Sequence, residues 1–275
     1  MKKIVTNLFT ALGFQIRLNR VYKGQAVLSN RLNKFLNVGT PYEEQAFAAM
    51  QKVKYNTMLP YEPLATLFAQ VAWVEENNLP GSFVECGVWK GGASGMMALS
   101  NLTFGKARRH LHLFDAFGDI CQPDEEKDEK KLVEEVKALT GKKKFASKPE
   151  ALTGIYNQFG GAGTIDINKK LLEEAIGYPA DYLHYHQGWF QDTVPADANQ
   201  LGNIAILRLD GDWYESTKVC MEELYPKVIN GGLVIIDDYG YNSGCRQAVH
   251  EVLAKYHHHP YINYVNDTCR YFFKP

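Results

Sequence analysis

A chain of 275 residues is long enough for one large domain or two small ones, and 45% hydrophobic against 22% charged residues excludes global disorder. No run approaches the ~18 consecutive apolar residues of a membrane-spanning helix. The net charge of 30 − 31 = −1 argues against a nucleic-acid binder, yet residues 1–42 carry seven Lys/Arg and no acid, leaving 23 − 31 = −8 on the rest.

Helical spacing of Val5, Leu8, Phe9, Leu12 and Ile16 predicts an amphipathic helix over 3–18. Its basic start lacks a clean small-x-small cleavage site and reads as part of the mature chain rather than as a signal peptide. Thr40-Pro41 followed by Glu43 and Glu44 marks a second helix start, and Pro63 opens a third that stops at Asn77-Asn78 and the Pro80-Gly81 turn. A short strand over 82–86 then meets a glycine-rich bend, 87–95, and a helix of small residues over 93–102. The next strand, 110–117, has Asp115 at its end. Residues 119–150, with nine acidic and eight basic side chains, predict a solvated, mobile insertion holding one helix near 129–139. A helix over 167–176, strands over 181–188 and 203–212, a helix over 216–229, a strand over 231–240, a helix over 245–256 and two short strands near 261–273 complete the chain.

Strands alternating with helices, some of them apolar throughout (204–209, 233–236), predict an α/β fold: a doubly wound, mostly parallel sheet covered on both faces. Such sheets bind ligands at the carboxyl ends of their strands, and acids recur there: Glu85, Asp115, Asp210, Asp237 and Asp238. Five scattered cysteines (Cys86, Cys121, Cys220, Cys245, Cys269) without a C-x-x-C pair suit a reducing, cytoplasmic setting better than a disulfide framework or a zinc site.

Glu85-Cys86-Gly87-Val88-Trp89-Lys90-Gly91-Gly92 sets a carboxylate before a glycine bend that is neither G-x-G-x-x-G nor a phosphate loop. An acid there repels a pyrophosphate but can pair with a ligand ammonium such as that of S-adenosylmethionine; a tight turn with a surface Glu is the plain alternative. Asp115 is placed to accept ribose hydroxyls, or simply to cap a helix. Arg208-Leu209-Asp210-Gly211-Asp212 and Asp237-Asp238 would share one rim if their strands are neighbours. Clustered carboxylates need a cation or raised pKa values, and all-oxygen donors suit Mg²⁺ or Ca²⁺; helix capping by the same acids stays open. His257-His258-His259 reads as a solvated loop. His110, His112, His184 and His186 alternate along strands as packing residues, with His186 a candidate base at the rim. Trp89, Trp189 and Trp213 follow strand ends and suit either a pocket wall or the core.

Taken in order from Tyr55 to Leu253, TMLPYEPLATLFAQV, PGSFVECGVWKGGAS, FDAFGD, GWFQDTVP, LRLDGDWYESTKVCMEELYPKV, GGLVIIDDYG and CRQAV resemble the macrocin O-methyltransferase (TylF/MycF-type) family. The resemblance implies a Rossmann-like class I methyltransferase that uses S-adenosylmethionine and Mg²⁺ to methylate a hydroxyl, often on a sugar of a natural product. It implies that Asp210, Asp237 and Asp238 match the metal-binding acids, with Asp210 near the reacting hydroxyl as the catalytic residue. It also implies cofactor contacts from Glu85, Gly87, Gly91 and Asp115, with Tyr55, Thr57 and Met58 closing over the cofactor. A catechol-type phenol methyltransferase and a catalytically silent cofactor-binding scaffold are the rival readings.

The expected organisation is a basic helical extension or lid over 1–60 and a methyltransferase domain over 61–275 with the charged insertion 119–150. Expected partners are a small-molecule or glycan acceptor, a second copy of the chain in a homo-oligomer, and an anionic membrane surface met by residues 1–42 at the inner face of a membrane; nucleic acid is not among them.

Overall fold

A computed structural model describes residue 39, residues 41–146 and residues 149–275. The helix expected over 3–18 and the membrane-facing role of 1–42 fall, but for residues 39, 41 and 42, outside the described residues. Helices α1 (Glu43–Val53) and α2 (Tyr61–Glu76) lead into β1 (Ser82–Cys86), α3 (Gly92–Phe104) and β2 (Leu111–Asp115). Helix α4 (Lys130–Thr140) and helix α5 (Ile165–Lys169), which widens into π geometry over Lys170–Ala175, precede β3 (Leu183–Gln187) and α6 (Phe190–Asp197). The remainder runs β4 (Ile204–Leu209), α7 (Tyr214–Leu224), β5 (Val228–Ile236), α8 (Ser243–Lys255), β6 (Asn263–Tyr264) and β7 (Arg270–Phe273). Among the described residues no helix is long and apolar enough to cross a membrane.

The seven strands form one sheet in the order β3-β2-β1-β4-β5-β7-β6, parallel from β3 to β5, with β7 antiparallel to both β5 and β6. All residues of β1 and β4 are buried, as a strand covered on both faces requires. One face packs Phe83, Leu113, Ile206 and Ile235 against α1, α2 and α3; the other packs Val84, Phe114, Leu207 and Val234 against α6, α7 and α8. Each fully buried side chain of this kind contributes about 1.5–3 kcal/mol. The register sets Cys86 beside both Phe114 and Leu209, and Leu209 beside Ile236. Pairing then runs one residue further, through Gly87 N–H to Phe114 O, Asp210 N–H to Cys86 O and Asp237 N–H to Leu209 O at 2.8–2.9 Å. Four strand ends are thus level, and the acids that follow them share one rim.

Several elements depart from expectation. Ala46, Ala49, Met50 and Val53 of α1 lie in the same core as α2 and α3, so the expected boundary at residue 60 falls inside one packed body. The helix expected to 229 ends at Leu224, because Pro226 lacks the N–H that a further turn needs, and Val228 and Ile229 join β5 instead. Helix α6 was not expected: it has no side-chain cap and contains Pro195. The segment 119–150 is anchored rather than solvated. Leu132, Val133 and Val136 pack with Phe145, Leu152 and Trp213 in a small third core. Hydrogen bonds between Leu152 N and Ile120 O (2.8 Å) and between Gln122 N and Glu150 O (2.9 Å) zip its two ends together.

Candidate active site

The bend after β1 is shaped by glycine and held by Asp115. Gly87 has φ +91°, and a Cβ there would stand 1.8 Å from Asp210 O, so only glycine lets the ends of β1 and β4 meet. Asp115 Oδ2 accepts hydrogen bonds from Val88 N (2.7 Å) and Trp89 N (3.0 Å), and its Oδ1 accepts one from Phe117 N (2.6 Å). Burial raises the Asp115 pKa against the opposing pull of these three donors. A second clasp closes from residues 159–168. Asn168, fully buried, donates to Trp89 O (2.8 Å); Lys90 Nζ donates to Gly160 O (3.0 Å) and Trp89 Nε1 to Gly161 O (3.2 Å).

Beside the bend, Asp210, Asp237 and Asp238 each present a carboxylate oxygen within 4.8 Å of the other two. Beneath them lies Arg208, 2% exposed. Its Nη1 donates to Glu85 Oε1 (2.7 Å) and Asp210 Oδ2 (2.9 Å), while Nη2 stands 3.1 Å from Asp237 Oδ1. That last contact is an ion pair without hydrogen-bond alignment, and Asp237 Oδ1 is buried without a hydrogen bond. Asp212, at φ +59°, adds another acid and donates its N–H to Asp238 Oδ2 at 3.0 Å. Five carboxylates (Glu85, Asp210, Asp212, Asp237 and Asp238) therefore gather at the rim with three of them (Glu85, Asp210 and Asp237) on the Arg208 guanidinium, and the excess negative charge shows in their titration. Burial first, then the other carboxylates, pushes Asp237 up to about 7 and carries Asp212 and Asp238 well above the usual range. An all-oxygen donor set whose negative charge exceeds that of the arginine beneath it fits a hard divalent cation.

Glu85 has a different neighbourhood from the ligand-facing one expected. It is 1% exposed, below the bend, bonded to Arg208 and to the Ser94 hydroxyl, and burial raises it to about 7. The adjoining cleft is lined by Gly87, Asp115 and Asp210, with Tyr156, Trp189 and Phe190 as aromatic wall. Gly91 instead backs onto Asn168, whose Oδ1 would lie 2.4 Å from an added Cβ. Thr57 packs on the start of α3, where a Cβ on Gly92 would meet its Cβ at 2.4 Å; Tyr55 and Met58 are exposed, outside the cleft lining. His186 is not at this rim: it stacks on Phe114, bonds to Asp197 and faces a separate groove. Trp213 is core, donating to Cys121 O at 2.7 Å. Sequence reading missed the role of Arg208, although an arginine inside the apolar run 204–209 signals a buried acid partner. Tyr156 and Asn168 carried no such signal.

A further bolt ties the insertion to the rim. Asp128 Oδ1 accepts from Tyr214 N (2.8 Å) and Asn242 Nδ2 (2.9 Å), and the same Asn242 amide donates to Asp212 O at 2.8 Å. Both Asp128 and Asn242 are buried.

This sheet order, with a glycine bend after β1, an acid at the end of β2 and acids after β4 and β5, suits a class I methyltransferase fold, and the family match makes the chain an enzyme of the S-adenosylmethionine-dependent O-methyltransferase class. The sequence profile of the family described as Macrocin-O-methyltransferase (TylF) matches residues 36–151 and 170–274, and the chain belongs to that family. It is 32% identical over 201 residues (73% of this chain, 69% of the relative) to the 8-demethyl-8-(2,3-dimethoxy-alpha-L-rhamnosyl)-tetracenomycin-C 4'-O-methyltransferase of Streptomyces olivaceus. It is 33% identical over 202 residues, with the same two coverages, to the demethyldecarbamoylnovobiocin O-methyltransferase of Streptomyces niveus. Among solved structures it resembles the O-methyltransferase NovP, at TM-score 0.65 and 24% identity over 98% of this chain and 99% of the other, which supports the fold.

Proposed function

We propose that this enzyme methylates a hydroxyl on the sugar of a glycan or glycosylated small molecule, with a hard divalent cation held by Asp210, Asp237 and Asp238. The observation that carries the reading is the three-carboxylate cluster beside the Asp115 bend, at one end of one sheet. The rhamnosyl group in the name of the Streptomyces olivaceus relative supports a sugar acceptor.

S-adenosylmethionine supplies an activated methyl group and a bound Mg²⁺ supplies Lewis acidity toward the acceptor hydroxyl. The chain's own residues bind, orient and take the proton. Asp115 presents lone pairs for ribose hydroxyls while its backbone bonds keep the bend in shape. Asp210 is the one member of the triad that is not buried, and it lines the cleft. Arg208 pins one of its oxygens, and the carboxylate accepts the hydroxyl proton. Trp189, Phe190 and Tyr156 offer flat apolar surface for the faces of a sugar ring or its aglycone. Glu85 acts through Arg208 and Ser94 rather than on the ligand ammonium. In-line alignment of the two reactants then supplies most of the acceleration.

A screen with methyl-labelled cofactor against glycosylated natural products, free glycans and catechols, with and without EDTA, tests the reading. Metal-dependent labelling of a sugar hydroxyl is expected. Labelling of catechols alone would overturn the acceptor class, and full transfer in excess EDTA would overturn the metal.

A further inference from the structure

The four histidines that alternate from His110, just before β2, along β2 and β3 take no part in the methyl-transfer site. They line a groove near the starts of β1, β2 and β4. Alternate strand residues share a face, and the parallel register sets His112 beside His184. Imidazoles therefore stack in a ladder: His186 on Phe114 (centroids 4.0 Å), His112 on His184 (4.5 Å), and His184 against His110 (5.0 Å). Ring nitrogens meet in two pairs, His112 Nδ1 with His186 Nε2 at 3.1 Å and His110 Nδ1 with His184 Nε2 at 2.8 Å.

The tautomers of the inner pair follow from Asp197. Its Oδ2 lies 2.7 Å from His186 Nδ1, so that nitrogen carries the proton and Nε2 presents a bare lone pair toward His112. A histidine whose far nitrogen donates to a carboxylate is the usual arrangement of a metal ligand, because the carboxylate fixes the ring and raises its basicity. Two nitrogens at about 2.0–2.1 Å from one ion stand about 2.8–3.4 Å apart between square-planar and tetrahedral angles, and 3.1 Å lies within that span.

We propose that His112 Nδ1 and His186 Nε2 chelate a borderline transition-metal dication, Cu²⁺ most tightly, with Asp197 as the orienting carboxylate. Imidazole pairs favour such ions over Mg²⁺, so this site is chemically distinct from the aspartate rim and independent of the sugar reading. On binding, the Nδ1 proton of His112 moves to its Nε2, and the pair stays neutral. Among the described residues only the aspartates bring three ligating side chains within 4.8 Å; the ladder thus gives two protein ligands to an ion, and water completes the shell. The outer pair repeats the geometry one step toward solvent. Of the two arginines on the same groove, Arg109 is paired with Glu75 through two contacts of 3.0 Å, and Arg108 is held on Asn101 O and Gly105 O.

The test is a Cu²⁺ titration of the full chain in saturating Mg²⁺, read by calorimetry and by the nitrogen hyperfine pattern in electron paramagnetic resonance. Two coordinating imidazoles are expected. His184→Ala/His186→Gln, which removes one member of each pair, should lower affinity at least tenfold. Asp197→Asn should lower it about tenfold, and decides the matter if the double variant fails to fold. His257→Ala/His259→Ala should leave it unchanged. Undiminished binding in both ladder variants, loss of binding in the 257/259 variant, or no nitrogen signal in the parent would each overturn the site.

Discussion

Replacing Arg208 with Met removes the guanidinium that holds three of the rim carboxylates and leaves a side chain of similar length. Arg208 lies 2.7 Å from Glu85, 2.9 Å from Asp210 and 3.1 Å from Asp237, and is 2% exposed. Breaking a buried pair from one side costs about 3–5 kcal/mol. The loss has a ceiling, because a stranded carboxylate can take up a proton. Glu85 already rises from 4.5 to about 7 in the folded chain with Arg208 present. In its absence the pKa of Glu85 rises further. Below pH 7 parent and variant both hold the Glu85 proton, so its share of the deficit is constant there. Above pH 7 the parent releases that proton and the folded variant keeps it, so the deficit grows with pH by up to about 1.4 kcal/mol per unit. Urea unfolding followed by tryptophan fluorescence should show about 3–5 kcal/mol lost at pH 8.5 and about 2 kcal/mol less than that at pH 6.5. A loss under 1 kcal/mol at pH 8.5, or one equal at both pH values, would refute the charge-compensation reasoning.

Asp210→Asn keeps the shape of the rim but loses the base, so turnover should fall about 10²-fold or more, while EDTA should silence the parent enzyme and Mg²⁺ restore it in a labelled-methyl assay. Asp115→Asn should weaken S-adenosylmethionine by about 1.5–3 kcal/mol, roughly tenfold to a hundredfold in calorimetric Kd. Gly87→Ala forces a Cβ to 1.8 Å from Asp210 O at φ +91°, and should lower the melting midpoint by several degrees or prevent soluble expression. His112, held down to about 3 from 6.5, leaves the unfolded chain with the extra proton between those values. Stability should therefore fall as pH drops below 6.5, by up to about 1.4 kcal/mol per unit, in denaturant melts, and His112→Asn should flatten that slope.

The sheet was legible because its central strands are short apolar runs between turn residues, and level strand ends then follow from parallel pairing. The aspartates of the rim were legible for the same reason: Asp210 and Asp237 each follow such a run. What joins residues across the sheet was not. Glu85 and Arg208 are 123 positions apart, and only the β1–β4 register reveals that the acid is spent on an arginine instead of a ligand. Helix α6 escaped because Pro195 reads as a breaker and no cap residue announces its start. The insertion looked solvated because its charges outnumber its apolar groups, yet Leu132, Val133 and Val136 on one helical face suffice to bury Phe145 and Trp213. The histidine alternation was visible, but Asp197, which fixes the tautomer, lies on a helix that was not expected.

The zipped ends of the insertion bear on how much chain the fold can carry above them. Hydrogen bonds at Ile120–Leu152 and Gln122–Glu150 close the segment at its neck, so doubling its length adds only about 0.6 kcal/mol of closure entropy. Evolution can exchange what lies above that neck at small thermodynamic cost, much as a tool head is changed on a fixed shaft. The exchange has one condition: a new segment must bring an acid to the place of Asp128, or the Tyr214 N–H and the Asn242 amide that steady the loop of Asp212 lose their common acceptor.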